Sequence, residues 1–313
     1  MSTTKQTLTR DAAAESYTFG IEIECTMPTN ARPVRMAGGY HHGREIGGDF
    51  PAGWTAERDT SIHTSRAGYR PVEIVSPVLH GREGLEQARA VAQLINDLGG
   101  RVNPTCGLHV HIGVASVAGT DFDTAADWVR RMITQATHYE EALYGVTGTR
   151  RRENGHYAGS SRATYNGHKD DLKKKMNGDD LNDLRTNTSR YSLLNIQNVF
   201  SAKHTVEFRC FAGTVEPIKI VAYIQMCLAL ASKARRQAAR FEGSKSLGNA
   251  YGTASQGKAS KALNHFFYAT GWTPGRKDRK HETMILDGYI GELEELPTLK
   301  AELRRLTRKY DAS

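Results

Sequence analysis

Residues 17–27 read YTFGIEIECTM. Phe19, Ile21 and Ile23 alternate with Gly20, Glu22 and Glu24. A period of two predicts a strand with one apolar and one polar face. Three further stretches repeat the pattern. In residues 71–77, PVEIVSP, Glu73 stands between Val72 and Ile74. In residues 107–113, GLHVHIG, His109 and His111 alternate with Leu108, Val110 and Ile112. In residues 205–211, TVEFRCF, Glu207 and Arg209 alternate with Val206, Phe208 and Cys210. Side chains at i and i+2 share a face, so each strand sets charged or imidazole groups opposite an apolar row. A solvated face draws on Thr, Ser and Lys, whereas these four use Glu, His and an Arg. Alone, an E-x-E or H-x-H pair reads as ordinary strand surface. Four such strands in one chain read as a site on one side of a sheet.

Helices are expected around the strands. Leu85, Ala88, Val91, Ala92 and Ile95 recur at helical spacing before Gly99-Gly100. Residues 121–143 and 218–241 read as two more helices, and residues 282–310 as a helical end broken at Pro297. Residues 1–16 read as a flexible N-terminus and 17–242 as the main domain. Inside that domain, residues 145–190 form a polar insert rich in Gly, Asn, Arg, Lys and Asp. Such an insert is either a lid or a surface loop. Residues 243–262 read as a Gly/Ser/Ala/Lys linker, and 263–313 as a basic helical C-terminal region.

The chain has 313 residues, 39% apolar and 24% charged, enough apolar content for a sizeable core and too little charge for disorder. No apolar run approaches membrane-helix length, and residues 1–16 lack the apolar stretch of a signal peptide. Cys25, Cys106, Cys210 and Cys227 form no C-x-x-C pair, which argues against a disulfide scaffold or zinc knuckle and for a cytoplasmic setting. The net charge of +8 is uneven: residues 232–313 hold 16 Lys+Arg against 9 Asp+Glu, and the first 231 hold 26 against 25. A nucleic-acid or other acidic partner is therefore expected at residues 232–313 if anywhere.

Chemically, carboxylates about 6.7 Å apart on a strand suit a pair of hard cations. Oxygen donors with few nitrogens favour Mg²⁺, with Mn²⁺ as the substitute, over zinc. Arg209 among carboxylates suits a phosphate. No G-x-x-x-x-G-K-[ST] loop is present, so any nucleotide must be held by the sheet face.

The ordered set GIEIE (20–24), WTAERDTSI (54–62), VEIVSPVL (72–79), CGLHVHIG (106–113), SRYSLLNIQN (189–198) and TVEFRCFAGT (205–214) resembles the amidoligase family. That family belongs to the carboxylate–amine ligases, with glutamine synthetase and glutamate–cysteine ligase. The resemblance spans about residues 17–235. It implies an α+β fold: a curved, mostly antiparallel sheet with helices on its outer face, like the glutamine synthetase catalytic domain, plus the C-terminal appendage. It implies ATP- and Mg²⁺-dependent formation of an amide or isopeptide bond through an acyl phosphate. By the same resemblance Glu22, Glu24, Glu73, His111 and Glu207 are expected as metal ligands. His109, Arg190, Asn195 and Ser61 are expected near nucleotide or substrate, and Arg209, Asp59 and Glu207 in catalysis. Thr60 stands where the family commonly has Gly. The carboxylate and amine are small molecules or peptides. Two alternatives stay open: a metal-dependent amide hydrolase on the same site, and a nucleic-acid-binding or base-modifying protein docking through the basic C-terminal region.

Overall fold

The computed structural model describes residues 7–32, 34, 42–239, 258–273 and 283–313. Its centre is one antiparallel sheet. The long strand β2 (Thr18–Pro28) lies between β5 (Tyr69–Val75) and β7 (Gly107–Gly113). Beyond β5 come β4 (Thr55–Glu57) and β3 (Arg44–Glu45); beyond β7 come β9 (Thr205–Ala212) and β8 (Leu194–Asn195). The short β6 (Leu79–His80) pairs with the start of β2. All four alternating stretches are thus strands, and they occupy adjacent positions. Residues 191–211 form a lopsided hairpin: β8 contributes two paired residues, Leu194 and Asn195, to the longer β9.

The apolar rows face the helices. Ile21, Ile23, Val72, Ile74, Leu108, Val110, Ile112, Val206 and Phe208 are all fully or almost fully buried. Over them lie α1 (Gly81–Asp97), α3 (Phe122–His138), α4 (Glu140–Gly145) and α7 (Pro217–Arg236), and the short α2 (Val114–Ala118) follows β7 directly. The long helix expected over 121–143 is divided: Asp121 caps α3 by accepting from the Thr124 N–H, and Tyr139 separates α3 from α4. Helix α7 is long and apolar enough to cross a membrane, yet 83% of that window is buried inside the protein. Packed between α1 and α3, it is a core helix.

Four expectations about the chain's ends change. Residues 1–6 and 243–257 lie outside the described residues. Thr7–Arg10 forms β1, parallel to β10 (Thr283–Leu286), where a loose N-terminus was expected. Buried Asp11 fixes this junction by accepting from the Ser232 hydroxyl and from the Gly288 N–H. Residues 258–262, expected as linker, lead into α8 (Ala259–Ala269). Pro297 begins α9 (Leu296–Asp311) and does not break it, because the first turn needs no N–H from that residue. Helices α8 and α9 are no appendage: Leu263, Phe266, Phe267, Leu299, Leu303 and Tyr310 enter the same core as α4 and α7. Part of the C-terminal basic charge is spent internally. Lys300 donates to the Trp272 carbonyl, Arg304 lies over the Phe267 ring, and Arg305 pairs with Glu302.

The polar insert is folded. Helices α5 (Ser161–Tyr165) and α6 (Gly178–Thr186), with short 3-10 turns, pack on α3 and bury Tyr165, Leu172, Met176, Leu181 and Leu184.

Candidate metal and ligation site

Strand register brings the polar residues together. Glu24 faces Glu73 across β2–β5, Glu22 faces His109 across β2–β7, and His111 faces Glu207 across β7–β9. Asn195 on β8 faces Glu207, and Glu57 on β4 faces Glu73. Between Leu108 and Val110 the β7–β9 register slips, so His109 opposes both Arg209 and Cys210. Such a bulge re-aims side chains, and here Glu207 and Arg209 both reach the imidazoles' side of the sheet.

His109 is the hub. Its Nδ1 lies 3.0 Å from Glu22 Oε2 and 3.3 Å from Glu207 Oε1. Its Nε2 lies 3.5 Å from Glu24 Oε1. His111 Nε2 lies 3.2 Å from Glu22 Oε1, and its Nδ1 lies 3.3 Å from Thr205 Oγ1. Asn195 Nδ2 donates to Glu207 Oε2 at 2.7 Å, and Arg209 pairs with Glu207 Oε1. The Gly107 N–H donates to Glu24. All these groups are buried except Thr205, which is half-buried, and Glu22, whose side chain retains 15% exposure.

The electrostatics split the cluster in two. Burial works against ionisation of Glu22, but the His111 charge and hydrogen bonds from His109 and His111 outweigh it and hold the carboxyl well below its usual range. Burial likewise opposes the Glu207 charge, and His111, His109 and Arg209 reverse the balance. Burial also disfavours a charged His111, yet Glu22 and then Glu207 raise it above the ordinary imidazole value. Glu73 behaves oppositely. Burial, then repulsion from Glu22, Glu24, Asp59 and Glu57, pushes it well above the carboxylate range. One end of the face is charge-compensated; the other carries an acid surplus that a cation would relieve.

The donor geometry fits cations at both ends. Glu22, His109 and Glu207 form one group whose ligand atoms lie within 4.8 Å of one another, and Glu24, Glu73 and His109 form a second. His109 Nε2 and His111 Nε2 are buried and each meets only a carboxylate, Glu24 at 3.5 Å and Glu22 at 3.2 Å, so a cation that displaced the imidazole proton would find nitrogen and oxygen donors side by side. The donor set is mostly carboxylate oxygen, which suits Mg²⁺ or Mn²⁺.

The remaining expected residues lie at different distances from this centre. Asp59 is half-buried, accepts from the Ser61 N–H at 2.6 Å, and reaches the cluster through its charge on Glu73. Ser61 closes that turn. Arg190 is exposed, its guanidinium 5.5 Å from the centre of the Tyr191 ring and in no hydrogen bond or ion pair with the acidic face. Two residues from outside the alternating strands also come to the site, one of them, Arg152, from the insert whose basic residues suggested a lid. Lys203, in the turn before β9, places Nζ 3.5 Å from Glu22 Oε1. Arg152, from the insert, is buried and donates to the Arg209 carbonyl at 2.5 Å. Neither sits in a periodic stretch, so spacing gave no signal for them.

Beside Glu22 and His111 a cavity of about 270 Å³ opens. Gly20, Val75, Pro77, Val78, Ala202 and Thr205 supply much of its wall, with Lys203 among the lining residues. Val78 is 75% exposed there.

An antiparallel sheet that buries carboxylates and imidazoles on one face, beside a cleft, defines a candidate acid–imidazole metal centre. The chain belongs to the family described as "Putative amidoligase enzyme", whose sequence profile matches residues 15–231. No curated protein matches it in sequence. Among solved structures it is similar to a bifunctional glutathione synthetase from Pasteurella multocida, at 11% identity and a TM-score of 0.40. That alignment covers 95% of this chain and 49% of the other, so this chain spans about half that protein's length.

Proposed function

We propose that this protein is an ATP- and Mg²⁺-dependent carboxylate–amine ligase working through an acyl phosphate, on a sheet related to the glutamine synthetase catalytic domain. The observation that carries the reading is the convergence of Glu22, Glu24, Glu73, His109 and Glu207 into two overlapping ligand groups that share one imidazole. Bound Mg²⁺ would supply charge neutralisation for the triphosphate and the transferred phosphoryl group.

The chain's own residues do the rest. The apolar cleft along Val75–Val78 accepts the adenine, and Lys203 at Glu22 meets the phosphates. Arg209, held against Glu207, stabilises charge on the phosphoryl oxygens as the substrate carboxylate attacks. ATP gives ADP, and the carboxylate becomes an acyl phosphate. The amine then attacks the acyl carbon, inorganic phosphate leaves, and the amine loses a proton. Asp59, outside the two ligand groups and close enough to repel Glu73, attracts the substrate ammonium and takes that proton.

The test is release of ADP and phosphate by the full chain, with mixtures of the common amino acids as both carboxylate and amine. Release that requires Mg²⁺ and both substrates supports the ligase. Amide cleavage that proceeds without nucleotide supports the hydrolase and overturns the ligase.

A further inference from the structure

Arg152 is a charged residue of the insert that reaches the sheet. It is 9% exposed, and its Nε has no hydrogen-bond partner. Its guanidinium lies flat against Gly107: a Cβ at that glycine would come within 2.9–3.1 Å of three guanidinium atoms. The Gly107 N–H in turn donates to Glu24. On the other side, Arg152 donates to the carbonyl of Arg209 at 2.5 Å. Arg209 is one of the two β9 residues facing His109 where the register slips. Its N–H is taken by the Leu193 carbonyl and its Nε donates to the Tyr157 carbonyl at 3.2 Å. Arg152 thus supplies a donor where the β7–β9 ladder is interrupted.

Arg152 is also anchored from behind. The next residue, Glu153, accepts from the Tyr310 hydroxyl of α9, and Arg150 contacts both Glu153 and the Tyr310 ring. A continuous set of contacts runs from α9 through residues 150–153 to the β9 bulge and Glu24.

We propose that Arg152 is a positioning residue of the ligation site: it locks the bulge that aims Arg209 and sets the cationic field at Glu24, and α9 holds it there. This rests on the ligase reading for its kinetic arm alone. Its metal arm stands independently. A residue that only filled space would, when replaced, loosen the site and weaken metal binding. A fixed cation beside Glu24 opposes a second cation there, so its removal strengthens metal binding while the aim of Arg209 is lost.

The experiment compares the full chain with Arg152→Gln and Arg152→Lys by Mn²⁺ titration under paramagnetic resonance and by ADP-release kinetics. For Arg152→Gln we expect Mn²⁺ affinity at the Glu24–Glu73 group to rise about 3- to 10-fold. We expect kcat to fall about 10- to 100-fold with KM for ATP nearly unchanged. Arg152→Lys restores the wild-type Mn²⁺ affinity and recovers part of kcat. Weaker or unchanged Mn²⁺ binding in Arg152→Gln overturns the proposal. If Arg152→Gln does not fold, Arg152→Lys decides: wild-type kcat overturns the proposal, and a reduced kcat at unchanged Mn²⁺ affinity supports it. Failure of the wild-type chain to release ADP with any substrate mixture would sink the ligase reading while leaving the Mn²⁺ result to judge Arg152.

Discussion

The two faces of strand β2 are made by neighbouring residues and obey opposite rules. Ile21 and Ile23 are buried at 1% and 0% exposure among helix side chains. Glu22 and Glu24, one residue away, look onto imidazoles and other carboxylates. The apolar face lowers the free energy of the fold by removing surface from water. The acidic face concentrates like charge at low exposure, and Glu73 shows the strain that results. A chain accepts such a cost where a bound cation can offset it. Stability and function are thus separated by the pleat of a single strand, and substitutions should separate them too.

The largest separation is expected at Glu22. Glu22→Ala should lower ADP release by about 10²–10³-fold or more, with a thermal midpoint within a few degrees of wild type. A large loss of stability would make Glu22 a structural residue. Ile23→Ala is the mirror experiment: it should cost about 2–5 kcal/mol in urea unfolding while the folded fraction still binds Mn²⁺.

Smaller and more diagnostic is the response to pH. Glu73 has a folded pKa raised above its unfolded one, so its contribution is fully present below the unfolded value and is lost as pH rises through the folded value. Metal-free protein should therefore lose stability on that account between acid and neutral pH. Glu22 and Glu207, with lowered values, act in the opposite sense as pH falls through their folded pKa values. Glu73→Gln should raise the metal-free melting temperature near pH 8 by roughly a few degrees and remove much of the stabilisation that Mg²⁺ gives. In wild type that stabilisation should be greater at pH 8 than at pH 5, because protons compete for Glu73. Equal Mg²⁺ shifts at both pH values would contradict the acid surplus. The smallest effect is expected far from the sheet: Arg305→Ala, which breaks an exposed pair with Glu302, should change stability by no more than about 0.5 kcal/mol.

The sheet was legible because a strand's period of two sorts residues by face without knowledge of their partners. That sufficed to group Glu22, Glu24, Glu73, His109, His111, Glu207 and Arg209 before their register was known. What spacing missed came from non-periodic chain. Arg152 lies in a turn-rich stretch whose neighbours Arg150 and Arg151 look alike in sequence, yet Arg151 is exposed and Arg152 is buried. Lys203 is placed by a turn in which His204 adopts a positive φ of 44° and bonds back to Val199. The insert read as polar because its apolar residues are few and scattered, but Tyr165, Leu172, Met176, Leu181 and Leu184 all find the same surface of α3 and its surroundings. At the C-terminus the helical pattern was legible, but not that its apolar stripe enters the main core. Leu296, Leu299, Leu303, Leu306 and Tyr310 recur at helical spacing and are the buried stripe of α9.

The central claim is that the polar face holds two cations, one on either side of His109, whose neutral imidazole ligates one of them while carboxylates hold the other. Calorimetric titration of the full chain with Mn²⁺ tests it directly. Two binding events per chain are expected from the two ligand groups, with Glu22→Ala removing one and Glu73→Gln weakening the other. An isotherm that neither substitution alters, or no binding at all, would contradict it.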